Sequence, residues 1–180
     1  MILRPKIALY EPDIPQNTAA IIRTCACLGA KLEIIEPCGF HLNDKRFKRV
    51  VMDYMDWDKI DLYQSSEHFF NAKKNQRIVL MTTKASISYT KFEFDKNDTI
   101  LFGRESAGVP EKVHKLINDR LKIPMNENTR SLNIASSVAI VLAESLRQSK
   151  LIYWISKLKK TSLVIGLSYY KMLFVMTSLN

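Results

Sequence analysis

Cysteine is scarce in this 180-residue chain, which holds only Cys25, Cys27 and Cys38. An odd number, arranged as C-x-C plus a lone residue, fits neither a disulfide framework nor the C-x-x-C spacing of a zinc or redox site, and a cytoplasmic location is expected. Glycine is also sparse. With only Gly29, Gly39, Gly103, Gly108 and Gly166 present, no G-x-G-x-x-G fingerprint can be formed and a Rossmann-type nucleotide site is not supported. Gly103 and Gly108 have the separation of the two P-loop glycines, but Val109-Pro110 follows where Lys-Ser/Thr would be needed to meet phosphate and magnesium. His41, His68 and His114 show no ligand spacing, so no metal site is expected. The N-terminal stretch lacks a basic segment, a long apolar run and a small-residue cleavage site, and it reads as no secretory signal. Internal repeats and low-complexity linkers are missing as well.

What the chain does have is positive charge. Lys and Arg total 27 against 18 acidic residues, a net charge of +9, which favours a polyanionic partner, either nucleic acid or an anionic membrane surface. The charge is unevenly placed. Residues 149–180 hold five Lys and no acid, leaving 22 basic against 18 acidic residues in the first 148. That final stretch carries an apolar run from Leu163 to Leu179, interrupted by Lys171. It is slightly short for a membrane span and is broken by a charge, so no membrane insertion is expected; a docked helix, a partner-binding helix and a poorly ordered tail all remain open. The expected division is a domain over 1–148 followed by an atypical apolar, basic tail over 149–180.

The remaining pattern is that of an α/β domain. Lys6–Leu9 and Leu32–Ile35 read as buried strands, with a helix over Thr18–Leu28 between them, Asn17 placed to cap its start and Gly29 to end it. A β-α-β opening predicts a parallel sheet flanked by helices. A short helix over Asp44–Met52 is crowded with Lys45, Arg46, Lys48 and Arg49, a candidate RNA phosphate patch or simply a solvated face. Further strands are expected near Ile60–Tyr63, at Arg77–Thr82, at Thr99–Phe102 and at Leu121–Ile123. Helices are expected to start at Ser65 or Ser66 and near Pro110, and a long closing helix covers Ile134–Arg147.

Three polar clusters carry the chemistry. Phe102-Gly-Arg-Glu-Ser-Ala-Gly-Val-Pro110 hangs on the end of a strand, where ligands of open α/β sheets collect, although a plain strand-to-helix turn would look similar. Pro124-Met-Asn-Glu-Asn-Thr-Arg-Ser-Leu-Asn133 precedes the closing helix, and Ser131 or Asn133 could be either a ligand contact or an N-cap. The third is Pro15-Gln-Asn-Thr18 followed by Arg23.

Taken in order and spacing, Ile14-Pro-Gln-Asn-Thr-Ala-Ala-Ile-Ile-Arg23, Leu101–Pro110 and Ile123–Asn133 resemble the three signature motifs of the SPOUT RNA ribose 2′-O-methyltransferases. The opening Ala8-Leu-Tyr-Glu-Pro-Asp-Ile-Pro15, with Ile34-Ile-Glu-Pro-Cys-Gly-Phe40, Asp44-Lys-Arg46 and Asp53-Tyr54, is most similar to the short branch that acts on the tRNA wobble position, and the match runs from about Lys6 to Gln148. The resemblance implies a C-terminal deep trefoil knot, S-adenosyl-L-methionine as cofactor, tRNA as substrate and a homodimer. Cofactor contacts carry over to Met81, Thr82, Gly103, Glu105, Ile123, Met125, Ser131 and Leu132. The catalytic centre carries over to Arg23, with Asn17, Glu105, Ser131 and Asn133 around it, and Arg23 and Arg130 join the basic helix as RNA contacts. The reaction implied is 2′-O-methylation of the wobble cytidine or carboxymethylaminomethyluridine of leucine tRNAs. Another tRNA or rRNA ribose is the nearest alternative, and a non-catalytic RNA-binding module with the same fold is the second.

Overall fold

The structure, a computed structural model, describes residues 4–44, 47, 49, 51 and 60–150. Strand β1 (Lys6–Tyr10) leads into α1 (Pro15–Leu28) and β2 (Lys31–Ile35). Next come β3 (Ile60–Tyr63), α2 (Ser66–Ala72), β4 (Ile78–Met81), the short β5 (Ile87–Ser88) and a 3-10 turn at Tyr89–Lys91. Then β6 (Thr99–Phe102), α3 (Glu111–Leu116), β7 (Asp119–Lys122) and α4 (Ile134–Gln148) complete the set. The seven strands form one sheet in the order β3-β2-β1-β6-β4-β7-β5, and every pairing is parallel. Register is set by β1 and β6 at the centre, where Ile7 lies beside both Leu32 and Ile100, and Leu80 of β4 lies beside Leu101.

Parallel strands covered on both faces must be apolar on both faces, which is why β1, β4 and β6 read as continuous hydrophobic runs. On one face Ile7, Leu9, Leu32, Ile34, Val79, Ile100 and Phe102 pack under α1 and α4. On the other, Ala8, Tyr10, Ile35, Leu80 and Leu101 pack with Phe69 of α2 and with Val113 and Ile117 at α3. The closing helix buries Val138, Val141, Leu142, Ser145 and Leu146. Its C-terminal end is tied to the stretch before β6: the Gln148 side chain accepts from the Phe94 amide at 2.9 Å and donates to the Phe92 carbonyl at 3.1 Å.

Several expectations shift. Helix α1 begins at Pro15, three residues earlier than predicted, with Ile14 in the N-cap position and no side-chain cap. Proline is well suited to the first helical position, and this frees the Asn17 side chain for another use. Strand β7 occupies Asp119–Lys122 rather than Leu121–Ile123, because pairing with β4 reaches back to Asp119 opposite Val79. Strand β5, two residues long, had no hydrophobic signature to announce it. Of the basic helix, Lys45, Arg46 and Lys48 lie outside the described residues, as do Asp53, Tyr54 and the tail over 151–180; Arg49 is exposed. Among the described residues no helix is long and apolar enough to cross a membrane, and no group of three or more His, Cys, Asp or Glu is placed to hold a metal ion.

Candidate active site

Because the sheet is parallel, β1, β4, β6 and β7 all release their loops at the same edge, the carboxyl edge where α/β sheets bind ligands. The loop after β6 is closed on itself: the Arg104 amide donates to the Gly108 carbonyl at 3.1 Å and the Gly108 amide returns a bond to the Arg104 carbonyl at 2.8 Å. This closure requires glycine at position 103. A Cβ there would stand 2.5 Å from the Gly108 carbonyl carbon and 2.8 Å from the Val109 nitrogen, well inside contact distance. Gly108 itself adopts a positive φ of 69°, a conformation that side chains other than glycine rarely take.

Around this loop the three motifs converge. The Asp13 amide donates to Glu105 Oε2 at 2.9 Å, and Asn17 Nδ2 donates to Glu105 Oε1 at 3.0 Å, so both carboxylate oxygens of Glu105 are engaged. Asn133 Nδ2 donates in turn to Asn17 Oδ1 at 2.9 Å, while Asn133 Oδ1 caps α4 by accepting from the Ala135 amide at 2.8 Å. Asn133 is therefore both N-cap and site residue. Asn17, predicted as the cap of α1, instead joins the first motif to the other two.

These residues border a cavity of about 540 Å³. All eight residues predicted to contact the cofactor line it: Met81 and Thr82 after β4, Gly103 and Glu105 after β6, and Ile123, Met125, Ser131 and Leu132 after β7. Asn17, Asn133 and Arg130 line it as well. Arg23 does not; it lies exposed on α1, away from the cavity of its own chain. Ile14 and Leu132 are large apolar side chains left 41% and 43% exposed where they border the cavity, as expected of walls that await a ligand. The donor set suits S-adenosylmethionine. There is room for a nucleoside joined to an amino acid, hydroxyls at Thr82 and Ser131, glycine backbone at Gly103 and Gly108, and apolar sides at Ile14, Ile123 and Leu132.

Sequence reasoning overlooked His114. It sits on α3, is buried, lines the cavity, and places Nε2 3.4 Å from Thr82 Oγ1. Burial, reinforced by the charge of Lys84, holds its imidazole below the ordinary histidine value. No local signal in the sequence marks it, since Glu111, Lys112, Lys115 and Leu116 of the same six-residue helix are all exposed. Asp13 was overlooked too. Its carboxylate accepts from the Ser106 amide at 3.1 Å and from the Ser106 hydroxyl, which keep its carboxyl below the usual carboxylate range.

Residues 4–143 match the model of the SpoU rRNA methylase family. A tRNA (cytidine(34)-2′-O)-methyltransferase of Beijerinckia indica is 48% identical over 144 residues, which cover 79% of this chain and 90% of the relative. A solved structure described as giving insight into 2-OH methylation of C/U34 on tRNA is 35% identical, with a TM-score of 0.77, covering 83% of this chain and 99% of that one. The methyltransferase AviRb of Streptomyces viridochromogenes in complex with AdoMet is 22% identical with a TM-score of 0.71, covers 82% of this chain and 61% of AviRb, and shares the fold.

Proposed function

From the premise that the chain belongs to the SpoU rRNA methylase family, we propose that it methylates the ribose 2′-oxygen of the tRNA wobble nucleotide, position 34, using S-adenosylmethionine. The fold is accordingly the α/β knot of that family, a parallel sheet flanked by helices with a trefoil knot. The observation that carries the reading is the convergence of three separated motifs, through Asn17, Glu105 and Asn133, on one cavity of suitable size and lining. The methyltransferase unit is residues 1–148, and cytidine or carboxymethylaminomethyluridine of leucine tRNAs in the cytoplasm is the substrate it is read to serve.

Bound S-adenosylmethionine supplies an electrophilic methyl on a sulfonium. The protein's part is to hold the ribose hydroxyl in line with it and to manage one proton, and positioning of this kind accounts for a large share of such rates. Glu105 has both oxygens engaged by Asp13 and Asn17, so its role is to fix the cavity wall rather than to accept the proton. Arg23 is a guanidinium that stays protonated and cannot be a general base; it orients the 2′-hydroxyl and the neighbouring phosphate, and that phosphate assists proton loss. Ser131 and Asn133 border the same space.

A homodimer reconciles this role with the position of Arg23. Helices α1 and α4 pack side by side and leave small or apolar residues outward, Ala20 and Cys27 on one, Ile140 and Ala143 on the other. Arg23 lies in the same stripe of α1, so pairing along it brings Arg23 to the interface, where it can serve a cavity it does not line within its own chain. Arg130 at the cavity, with Arg49 and the rest of the predicted basic segment, would meet tRNA phosphates.

The decisive experiment supplies purified protein with methyl-labelled S-adenosylmethionine and leucine tRNA transcripts. Label is expected on the ribose of nucleotide 34 and should vanish when that nucleotide is 2′-deoxy. Label elsewhere on the tRNA, or on an rRNA fragment in preference, would overturn the wobble assignment.

A further inference from the structure

The segment Glu11-Pro-Asp13 joins β1 to α1 and lies next to the catalytic motifs without being one of them. Three features set it apart. Glu11 has a positive φ of 44°, a left-handed conformation unusual for a residue with a side chain, and strain of this kind persists only where surrounding contacts hold it. The contacts are present: the Glu11 carboxylate pairs with Arg104 Nη2, and the Glu11 amide donates to the Ile35 carbonyl at 2.9 Å. Asp13 is braced from behind by Gly39, where a Cβ would come within 3.0 Å of the Asp13 Cα.

From this braced position residue 13 reaches three consecutive residues of the loop after β6. Its carboxylate lies 3.9 Å from Arg104 Nε, its amide donates to Glu105, and its Oδ2 accepts from both the amide and the hydroxyl of Ser106. Arg104, Glu105, Ala107 and Gly108 line the cavity; Ser106 does not, and its side chain is committed to Asp13. We propose that Asp13 is a positioning residue which, by anchoring Ser106, holds the 103–108 loop and Glu105 in the shape that S-adenosylmethionine binds. The inference rests on the methyltransferase reading and deepens it. Asp13 and Ser106 touch no reacting atom; they set the cofactor-binding wall before the cofactor arrives, so that affinity is not spent on ordering the loop.

The test is titration calorimetry with S-adenosylhomocysteine, which binds without reacting, alongside thermal melts of each variant. Asp13→Ala and Ser106→Ala should each weaken binding about tenfold, the scale of a lost hydrogen bond to a charged group. The double variant should be no weaker than Asp13→Ala, because that substitution already removes the hydroxyl contact together with the one to the Ser106 amide. Ser106→Thr, which keeps the hydroxyl, should retain full affinity, while a role in overall stability alone would lower melting temperature without this pattern. Ser106 is exposed, so its variants carry the test even if Asp13→Ala fails to fold. Unchanged affinity in Ser106→Ala, or additive losses in the double variant, would overturn the proposal. Failure of the unaltered protein to bind S-adenosylhomocysteine would instead overturn the methyltransferase reading on which it stands.

Discussion

His114 shows how a single buried group ties stability to pH at the cavity wall. Its imidazole faces the positive charges of Lys84 and Arg120 and the carboxylate of Glu111, and burial is the largest influence on it, holding its pKa below the ordinary value. As pH falls below about 6.5, the unfolded chain takes up this proton before the folded one does. Folding stability is therefore lost through that interval, until the folded imidazole also protonates. Denaturant unfolding at pH 7.5 and 5.5 should show a larger loss for the unaltered protein than for His114→Gln, whereas equal losses would mean that His114 titrates alike in both states. Cys25 is the opposite case, a residue with no chemistry: burial pushes its thiol up to about 12, and it acts as a core side chain under the sheet. The sequence places both residues on helices, yet only packing distinguishes the one that borders the cavity from the one that fills the core.

At the scale of elements, β2 and α2 are locked by an ion pair removed from water. Glu33 of β2 is fully buried and Lys73, just past α2, is 3% exposed; their side chains bond directly, and Lys73 Nζ also donates to Gln76 Oε1 at 3.2 Å. Burial raises the Glu33 carboxyl and Lys73 opposes that shift. Removing Lys73 leaves the buried Glu33 carboxylate with only the more distant Lys6, 3.9 Å away, so Lys73→Met should cost about 3 kcal/mol in urea unfolding, and adding Glu33→Met should recover most of it. Had the pair been a surface one, Lys73→Met would shift stability by less than about 1 kcal/mol. This lock shows why some elements were legible in the sequence and others were not. Strands β1, β4 and β6 announce themselves because both faces are apolar, and β2 reads as a buried strand despite Glu33; what the sequence does not display is that Lys73, 40 positions away, and Lys6 answer that carboxylate. The start of α1 was misjudged for a similar reason: Asn17 has the chemistry of a cap, but its side chain is claimed by Glu105, 88 residues distant.

For the whole molecule, the knot was the feature that local reasoning could least supply, since connections in most folds do not thread through one another. What pointed to it was the resemblance of three motifs, far apart in sequence, to those of the family, which implies the knot. The same logic extends past the single chain. Arg23, predicted at the centre of the reaction, is the one predicted catalytic residue that does not line the cavity of its own protomer. Ile140 is 37% exposed on α4, the helix that packs against α1, which carries Arg23. If two copies pair along these helices, a charge at position 140 would be buried against apolar surface at the interface, a heavy penalty unless it finds a partner. Ile140→Arg should therefore elute as a monomer in size-exclusion chromatography with light scattering, where the proposed pairing predicts a dimer for the unaltered protein. The monomer should keep its affinity for S-adenosylhomocysteine, because the cavity is lined within one chain, and should lose methyl transfer to tRNA, because Arg23 no longer reaches a site. A monomeric variant that still methylates at the normal rate would place Arg23 outside the reaction, and the proton and hydroxyl would then have to be handled by residues already around Glu105 and Asn17.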